Sequence, residues 1–310
     1  MARSEPILVV IDPGAETQPA LDRSIYLAKH LGMHLNLFIC DYDVGLVAEK
    51  LLDREGLKAA RQQTVETHLT FLEGLAEKVA DEGIAFNVQA SWDRPLHEGI
   101  IRQALHSDAR YVLKDTHYHS AISRALFSNT DWHLLRSCPA PLWLVKPDTS
   151  FVSPSIMAAV DPLHEHEKPA SLDARILSEA CELADSLEGI ARVFHAFNPY
   201  LEPDDPRRIE TRHADALRAL TEQFAISDER VHLVAGATAD VFPQIIREHA
   251  ISLVVMGSLA RSRMEDVMIG STAEKVLDYL SCDVLAIKPK GFISPVNLKK
   301  RPGGYYYAER

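Results

Sequence analysis

Cysteine is scarce in this chain, long apolar runs are missing and familiar catalytic signatures are absent, and each lack narrows what the protein can be. The four cysteines, Cys40, Cys138, Cys181 and Cys282, form no Cys-x-x-Cys pair. Neither a zinc knuckle nor a disulfide framework is indicated, and a reducing cytoplasm is the expected compartment. No apolar run approaches the roughly 18 residues that span a bilayer. The first candidate, Ile7 to Ile11, is stopped by Asp12 and Pro13 and is too short for a signal-peptide core. There is no Gly-x-Ser-x-Gly, no His-Glu-x-x-His and no Gly-x-x-x-x-Gly-Lys-Ser/Thr. The Ser-Gly-Gly-x-Asp-Ser loop of PP-loop ATPases and the His-Ile-Gly-His and Lys-Met-Ser-Lys-Ser signatures of class I synthetases are missing too. An adenylating enzyme is disfavoured, and no residue set for catalysis is expected. Positive charge is also short: 33 Lys and Arg against 44 Asp and Glu leave a net charge of -11. Such a field repels nucleic acid and anionic lipid, so neither is an expected partner.

What is present is an ordinary globular composition, 46% apolar and 25% charged over 310 residues, enough for two domains. The chain repeats itself once. Ile7-Leu-Val-Val-Ile-Asp-Pro13 recurs as Ile156-Met-Ala-Ala-Val-Asp-Pro162, and Pro141-Leu-Trp-Leu-Val-Lys-Pro147 recurs as Asp283-Val-Leu-Ala-Ile-Lys-Pro289. Between these anchors both halves alternate strand and helix. Amphipathic stretches at 18–31 and 174–187 precede apolar runs at 34–40 and 191–197. Val65, Leu69, Leu72, Leu75, Ala76 and Val79 share one face of a long helix, and 208–224 repeats that face with fewer turns. Third strands are expected at 85–91 and 230–235, and short apolar fourth strands at 111–114 and 252–256. This order predicts an α/β fold of two tandem, doubly wound parallel sheets. Domains are expected over 1–147 and 156–289, with a linker over 148–155 and a loosely docked or mobile tail over 290–310.

The most informative segment is Met256-Gly257-Ser258-Leu259-Ala260, followed after nine residues by Gly270-Ser271-Thr272. Glycine at a strand end lets backbone approach a ligand, and Gly-Ser-Thr opening a helix offers amides, hydroxyls and a positive dipole end to phosphate. The same residues also suit a turn and an N-cap by Ser271 or Thr272. Asp161, followed by Pro162, suits either a ligand hydrogen bond or turn initiation. His164 and His166 flank Glu165 in the loop after the first strand of the second half. They offer two of the ligands that zinc or another divalent metal needs, or a solvated loop. His117-Tyr118-His119 reads the same way. Cys138 and Cys282 read as buried fillers.

The repeat, the Asp closing each first strand and this glycine loop resemble the universal stress protein family. Its nucleotide-binding members carry Gly, two residues, Gly, nine residues, then Gly-Ser or Gly-Thr. Gly257, Ala260, Gly270 and Ser271 match that spacing with one departure, alanine for the second glycine. Two such domains in one chain look like the tandem E type of that family. The resemblance implies a sheet order of 3-2-1-4-5, pairing of the two halves through their fifth strands (Leu142 to Val145 and Leu285 to Ile287) and homodimerisation of the chain. It also implies a nucleotide site in the second half. There Val160 and Met256 would wall the sugar or base, Asp161 would accept hydrogen bonds, and Gly257, Leu259, Ala260, Gly270, Ser271 and Thr272 would surround ATP phosphates bridged by Mg²⁺. In the first half the motif positions read Asp115, Tyr118, Ser128 and Asn129, so no nucleotide is expected there. The functional expectation is a stress-response regulator binding an adenine nucleotide. The contrasting one is an interaction scaffold whose degenerate crevices hold another ligand, apolar or otherwise, or nothing.

Overall fold

A computed structural model describes residues 5–42, 54–116, 118–119, 124–125, 128–147, 149, 151–163, 170–200, 204–258, 277, 280–298 and 306–309. In chain order the elements are β1 (Pro6–Val10), α1 (Pro19–Leu31), β2 (His34–Asp41), α2 (Arg54–Asp81), β3 (Phe86–Trp92), α3 (Leu96–His106), β4 (Tyr111–Asp115), β5 (Tyr118–His119), β6 (Arg124–Ala125), α4 (Asn129–Ser137) and β7 (Leu142–Val145). There follow β8 (Ser155–Ala159), α5 (Ala170–Ser186), β9 (Ile190–Phe197), α6 (Pro206–Thr221), β10 (Val231–Ala235), α7 (Thr238–Glu248), β11 (Leu253–Gly257), β12 (Asp283–Ile287) and β13 (Tyr306–Glu309).

The chain divides into two compact units. One comprises Met1–Asp115, Ser128–Val145 and Ile293–Arg310, the other Thr116–Phe127 and Lys146–Phe292. In the first unit the parallel strands run β3-β2-β1-β4-β7, and in the second β10-β9-β8-β11-β12. Both are the 3-2-1-4-5 order. Strands β1 and β12 are buried at every position, the continuous apolar pattern of parallel strands covered on both faces. Helix α1 begins with Pro19, whose missing N–H lies where no intrahelical bond is due. It ends at Gly32, whose φ of 65° admits the left-handed cap. Of the face expected on α2, Val65, Leu69, Leu72, Ala76 and Val79 are buried and Leu75 is half-buried.

Register fixes where the strand ends meet. Val10 pairs with Lys114 in the first unit and Ala159 with Met256 in the second. Asp115 and Gly257 therefore occupy the same place, one residue further along the fourth strand. At this end of the sheet strand order reverses, which is where such folds leave a crevice.

The tail departs from the loose extension its composition suggests. Residues Tyr306–Glu309 form β13, antiparallel to β3, with Tyr306 opposite Trp92 and Glu309 opposite Gln89. An uncovered sheet edge presents a row of backbone donors and acceptors, and a Tyr-rich strand satisfies them. The tail's basic charge and its Pro and Gly residues do not reveal the β-prone Tyr305-Tyr306-Tyr307 stretch.

Candidate functional site

In the second unit the ends of β8 and β11 carry Val160, Asp161, Met256 and Gly257. The peptide joining Val160 to Asp161 is held at both of its polar atoms. Its N–H donates to Asp173 Oδ1 at 3.1 Å, and its carbonyl accepts from His195 Nδ1 at 3.1 Å. Asp173 lies in the first turn of α5 and is buried. Asp161 Oδ1 is shielded from solvent and has no hydrogen-bond partner among the described residues. A buried, unmatched carboxylate oxygen costs about 1–3 kcal/mol or more, and a ligand hydroxyl or amine would remove that cost.

Gly257 has a packing reason to be glycine. A Cβ there would stand 2.8 Å from Leu172 Cδ2 and 3.4 Å from Ile176 Cδ1. The absent side chain lets α5 close onto the end of β11. Beside it, Ser258 N–H donates to the Ile287 carbonyl at 2.8 Å, and Ser258 Oγ accepts from Lys288 Nζ at 3.2 Å. Lys288 is buried, its ammonium 4.7 Å from the Phe292 ring centre. A cation thus lies under the start of the glycine loop. Of the residues expected to hold a ligand, Val160 is buried and Asp161, Met256 and Gly257 are half-buried at the adjoining ends of β8 and β11. Leu259, Ala260, Gly270, Ser271 and Thr272, and also His164 and His166, lie outside the described residues.

The first unit fills the corresponding space with its own carboxylates. Asp115 Oδ1 accepts from the Ala20 N–H at 2.6 Å, in the first turn of α1, so the helix end that could take an anion already holds a carboxyl. Burial is the largest influence on this carboxyl and pushes it up to about 7. The Ala20 N–H and Lys114 oppose that rise, and Asp22 and Asp12 add to it. At the head of α4, Ser128 and Asp131 form a reciprocal capping box, with Asp131 N–H donating to Ser128 Oγ at 3.2 Å and Ser128 N–H to Asp131 Oδ2 at 2.8 Å. Asp131 Oδ1 faces Lys114 Nζ at 3.0 Å. One amide at each helix end, Ala20 N–H and Asp131 N–H, is taken from within. His117 and the side chains of Tyr118 and His119 lie outside the described residues.

Sequence reasoning missed four residues of the second-unit site: Asp173, His195, His213 and Lys288. His195 Nε2 is 2.7 Å from His213 Nδ1, and both rings are buried. A signal existed for His213. It occupies the core stripe of α6 with Ile209, Leu217 and Thr221, at spacings where an apolar residue is the rule. In the sequence Lys288 reads only as part of the repeated strand end at 283–289. The Cys40 and Cys282 thiols are poor nucleophiles: burial raises Cys282 and pushes Cys40 up to about 12. Among the described residues no group of three or more His, Cys, Asp or Glu is arranged to hold a metal, and no helix is long and apolar enough to cross a membrane.

Comparison with known proteins identifies the family. Universal stress protein E of Escherichia coli K12 is 30% identical over 313 residues, covering 96% of this chain and 98% of that one. Universal stress protein E of Photorhabdus laumondii is 29% identical over 97% and 100%. A crystal structure of a Pseudomonas aeruginosa PAO1 protein of unknown function superposes with a TM-score of 0.74 at 28% identity, over 92% of this chain and 93% of that chain. The profile described as universal stress protein family matches twice, over residues 4–146 and 155–288. The chain belongs to the universal stress protein family, as a tandem member with two such domains.

Proposed function

We propose that this protein is a stress-response regulator that binds one adenine nucleotide per chain, in the second unit, and is not an enzyme. The observation that carries the reading is the asymmetry between equivalent crevices. In the first unit Asp115 and the Ser128–Asp131 box occupy both helix ends. In the second, Gly257 stands where the first has Asp115, and Asp161 Oδ1 is buried with no hydrogen-bond partner among the described residues, as Asp115 Oδ2 is in the first. Asp161 would accept from a ribose hydroxyl or a base amine, and Val160 and Met256 would flank the ring. Lys288 brings positive charge to the phosphate side, and Gly270, Ser271 and Thr272 would supply amides and hydroxyls there. Mg²⁺, when bound with the nucleotide, neutralises phosphate charge. It is needed against an overall acidic field, since removing the tail's net +4 from -11 leaves -15 on residues 1–289.

Native mass spectrometry of freshly purified protein, followed by calorimetric titration with Mg-ATP, tests this. Copurified nucleotide or a binding heat at one site, weakened by Ser271→Ala, is the expected result. Ala260, at the position where the family motif resembled has glycine, favours the scaffold reading instead. A non-nucleotide adduct with no ATP heat would establish that alternative. Zinc at His164 and His166 would register as a stoichiometric metal in elemental analysis, and less than a tenth of an equivalent removes it.

A further inference from the structure

In each unit the parallel strands end on an equivalent edge, β3 in the first and β10 in the second. After β3 the Asp93 N–H donates to the Asp41 carbonyl at 3.1 Å, and after β10 the Gly236 N–H donates to the Phe197 carbonyl at 2.8 Å. Trp92 and Ala235, paired with Asp41 and Phe197, therefore correspond. Along a strand the N–H and C=O of successive residues point to opposite sides. Asp93, Ser91 and Gln89 thus face β2, and Trp92 and Ala90 open outward. In the second unit Gly236, Val234 and His232 face β9, and Ala235, Leu233 and Val231 open outward.

In the first unit these outward groups are met. β13 lies antiparallel to β3 with Tyr306 opposite Trp92 and Ala308 opposite Ala90, the two positions that open outward. In the second unit β10 stands last in the strand order, and among the described residues no strand pairs with its outer side. The chain has one such tail, and it lies on β3. Natural edge strands are blunted by Lys, Pro or a bulge. Val231-His-Leu-Val-Ala235 contains no Lys or Pro, and no Asp, Glu or Arg either. Its pairing with β9 runs unbroken over all five residues, so it has no bulge. Four of its residues are half-buried and Ala235 is exposed. Nothing in the strand itself keeps another strand away.

Its own sequence fits it. Two copies of β10, antiparallel about a twofold axis at Leu233, set Leu233 opposite the partner's Leu233, Val231 opposite the partner's Ala235 and His232 opposite the partner's Val234. Outward residues then meet outward residues as the hydrogen-bonded pairs of an antiparallel ladder, and every outward N–H finds a carbonyl. A shift of one residue sets outward groups against inward ones, and a shift of two leaves an outward residue unmatched, so one register is favoured. No like charges meet. Beyond the strand, Arg230 comes opposite the partner's Gly236 and Glu229 opposite the partner's Ala237. We propose that β10 is a self-association edge, through which two copies of this chain pair antiparallel, second unit to second unit, in a closed twofold dimer.

Sedimentation equilibrium of the full chain at micromolar concentration tests this. Wild type is expected at twice the chain mass. Leu233→Pro should weaken the dimer at least tenfold, because proline removes an outward N–H and no bond to β9. Ala235→Pro, at the exposed end of the strand, serves as the second variant if the first fails to fold. Amide hydrogen exchange reads the register. In the wild-type dimer the Val231 and Leu233 amides should be protected, and in Ala235→Pro they should lose that protection while those of His232 and Val234 keep theirs. A wild type that sediments as a monomer overturns the proposal and leaves the edge to a strand of another protein. A dimer that the folded proline variants leave intact, or one in which the outward amides exchange freely, overturns it as well.

Discussion

Replacing Asp115 with asparagine tests how the first unit fills its own crevice. Asp115 keeps its proton up to about 7 in the folded protein against 3.8 for the free residue. At pH 8 the folded state therefore holds a carboxylate in surroundings that favour the acid. A difference of about three pKa units corresponds to roughly 4 kcal/mol at about 1.4 kcal/mol per unit. The residue is half-buried, with water screening part of the effect, so about 1–2 kcal/mol is the working figure. Asparagine retains an oxygen for the Ala20 N–H and carries no charge, so Asp115→Asn should stabilise the protein by about 1–2 kcal/mol at pH 8. The sign with pH follows. Between 3.8 and about 7 the folded state binds more protons than the unfolded state, so wild type gains stability as pH falls through that window. The advantage of the variant should shrink accordingly and be gone near pH 4. Urea unfolding of both proteins at pH 8.0 and 4.5 measures it. Equal midpoints at pH 8, or an advantage unchanged at pH 4.5, would refute the placement of a desolvated carboxyl at the head of α1.

Other consequences are as direct. His232 is held down to about 4, by burial first and then by His249 and Arg192, and its ring lies 4.2 Å from that of His249. It stays neutral in the fold while the unfolded chain protonates near 6.5. Its contribution is complete above about pH 6.5 and is lost as pH falls toward 4, so His232→Phe should flatten the acid limb of a melting-temperature profile, and an unchanged limb would contradict this. Gly257→Ala places a methyl 2.8 Å from Leu172 Cδ2 and should cost about 1–3 kcal/mol in denaturant unfolding; a Leu172→Ala background should relieve most of that loss, and additive effects would show that the two do not meet. Ser128→Ala should cost about 1 kcal/mol through the lost cap on α4, read in the same assay.

The parallel sheets and the duplication were legible because parallel strands, buried on both faces, leave continuous apolar runs that a repeat makes visible twice, whereas the 3-2-1-4-5 order came only with the family resemblance. Leu253 to Met256 and Ile156 to Ala159 are such runs, and they pair as neighbours. The Asp115-for-Gly257 exchange was also legible, since one spacing aligns the two halves. What the sequence hid was mutual. Asp115 reads as an acid that would repel phosphate, but its hydrogen bond to Ala20, 95 positions away, depends on how α1 packs. Gly257 reads as room for a ligand, whereas the nearest obstacle to a side chain is Leu172. His195 is separated from Val160 by 35 residues and from His213 by 18, and a count of fourteen histidines cannot single out two rings in the core. The tail misled for a related reason: its charge and Pro/Gly content said nothing of the open edge of β3.

The central claim is that one crevice of the pair binds a nucleotide and the other does not. Calorimetric titration of the full chain with Mg-ATP, comparing wild type with Asp161→Ala and Asp12→Ala, addresses it most directly. One nucleotide per chain is expected, with affinity at least tenfold weaker in Asp161→Ala and unchanged in Asp12→Ala. Two nucleotides per chain, or an Asp161→Ala variant that binds as wild type does, would contradict it.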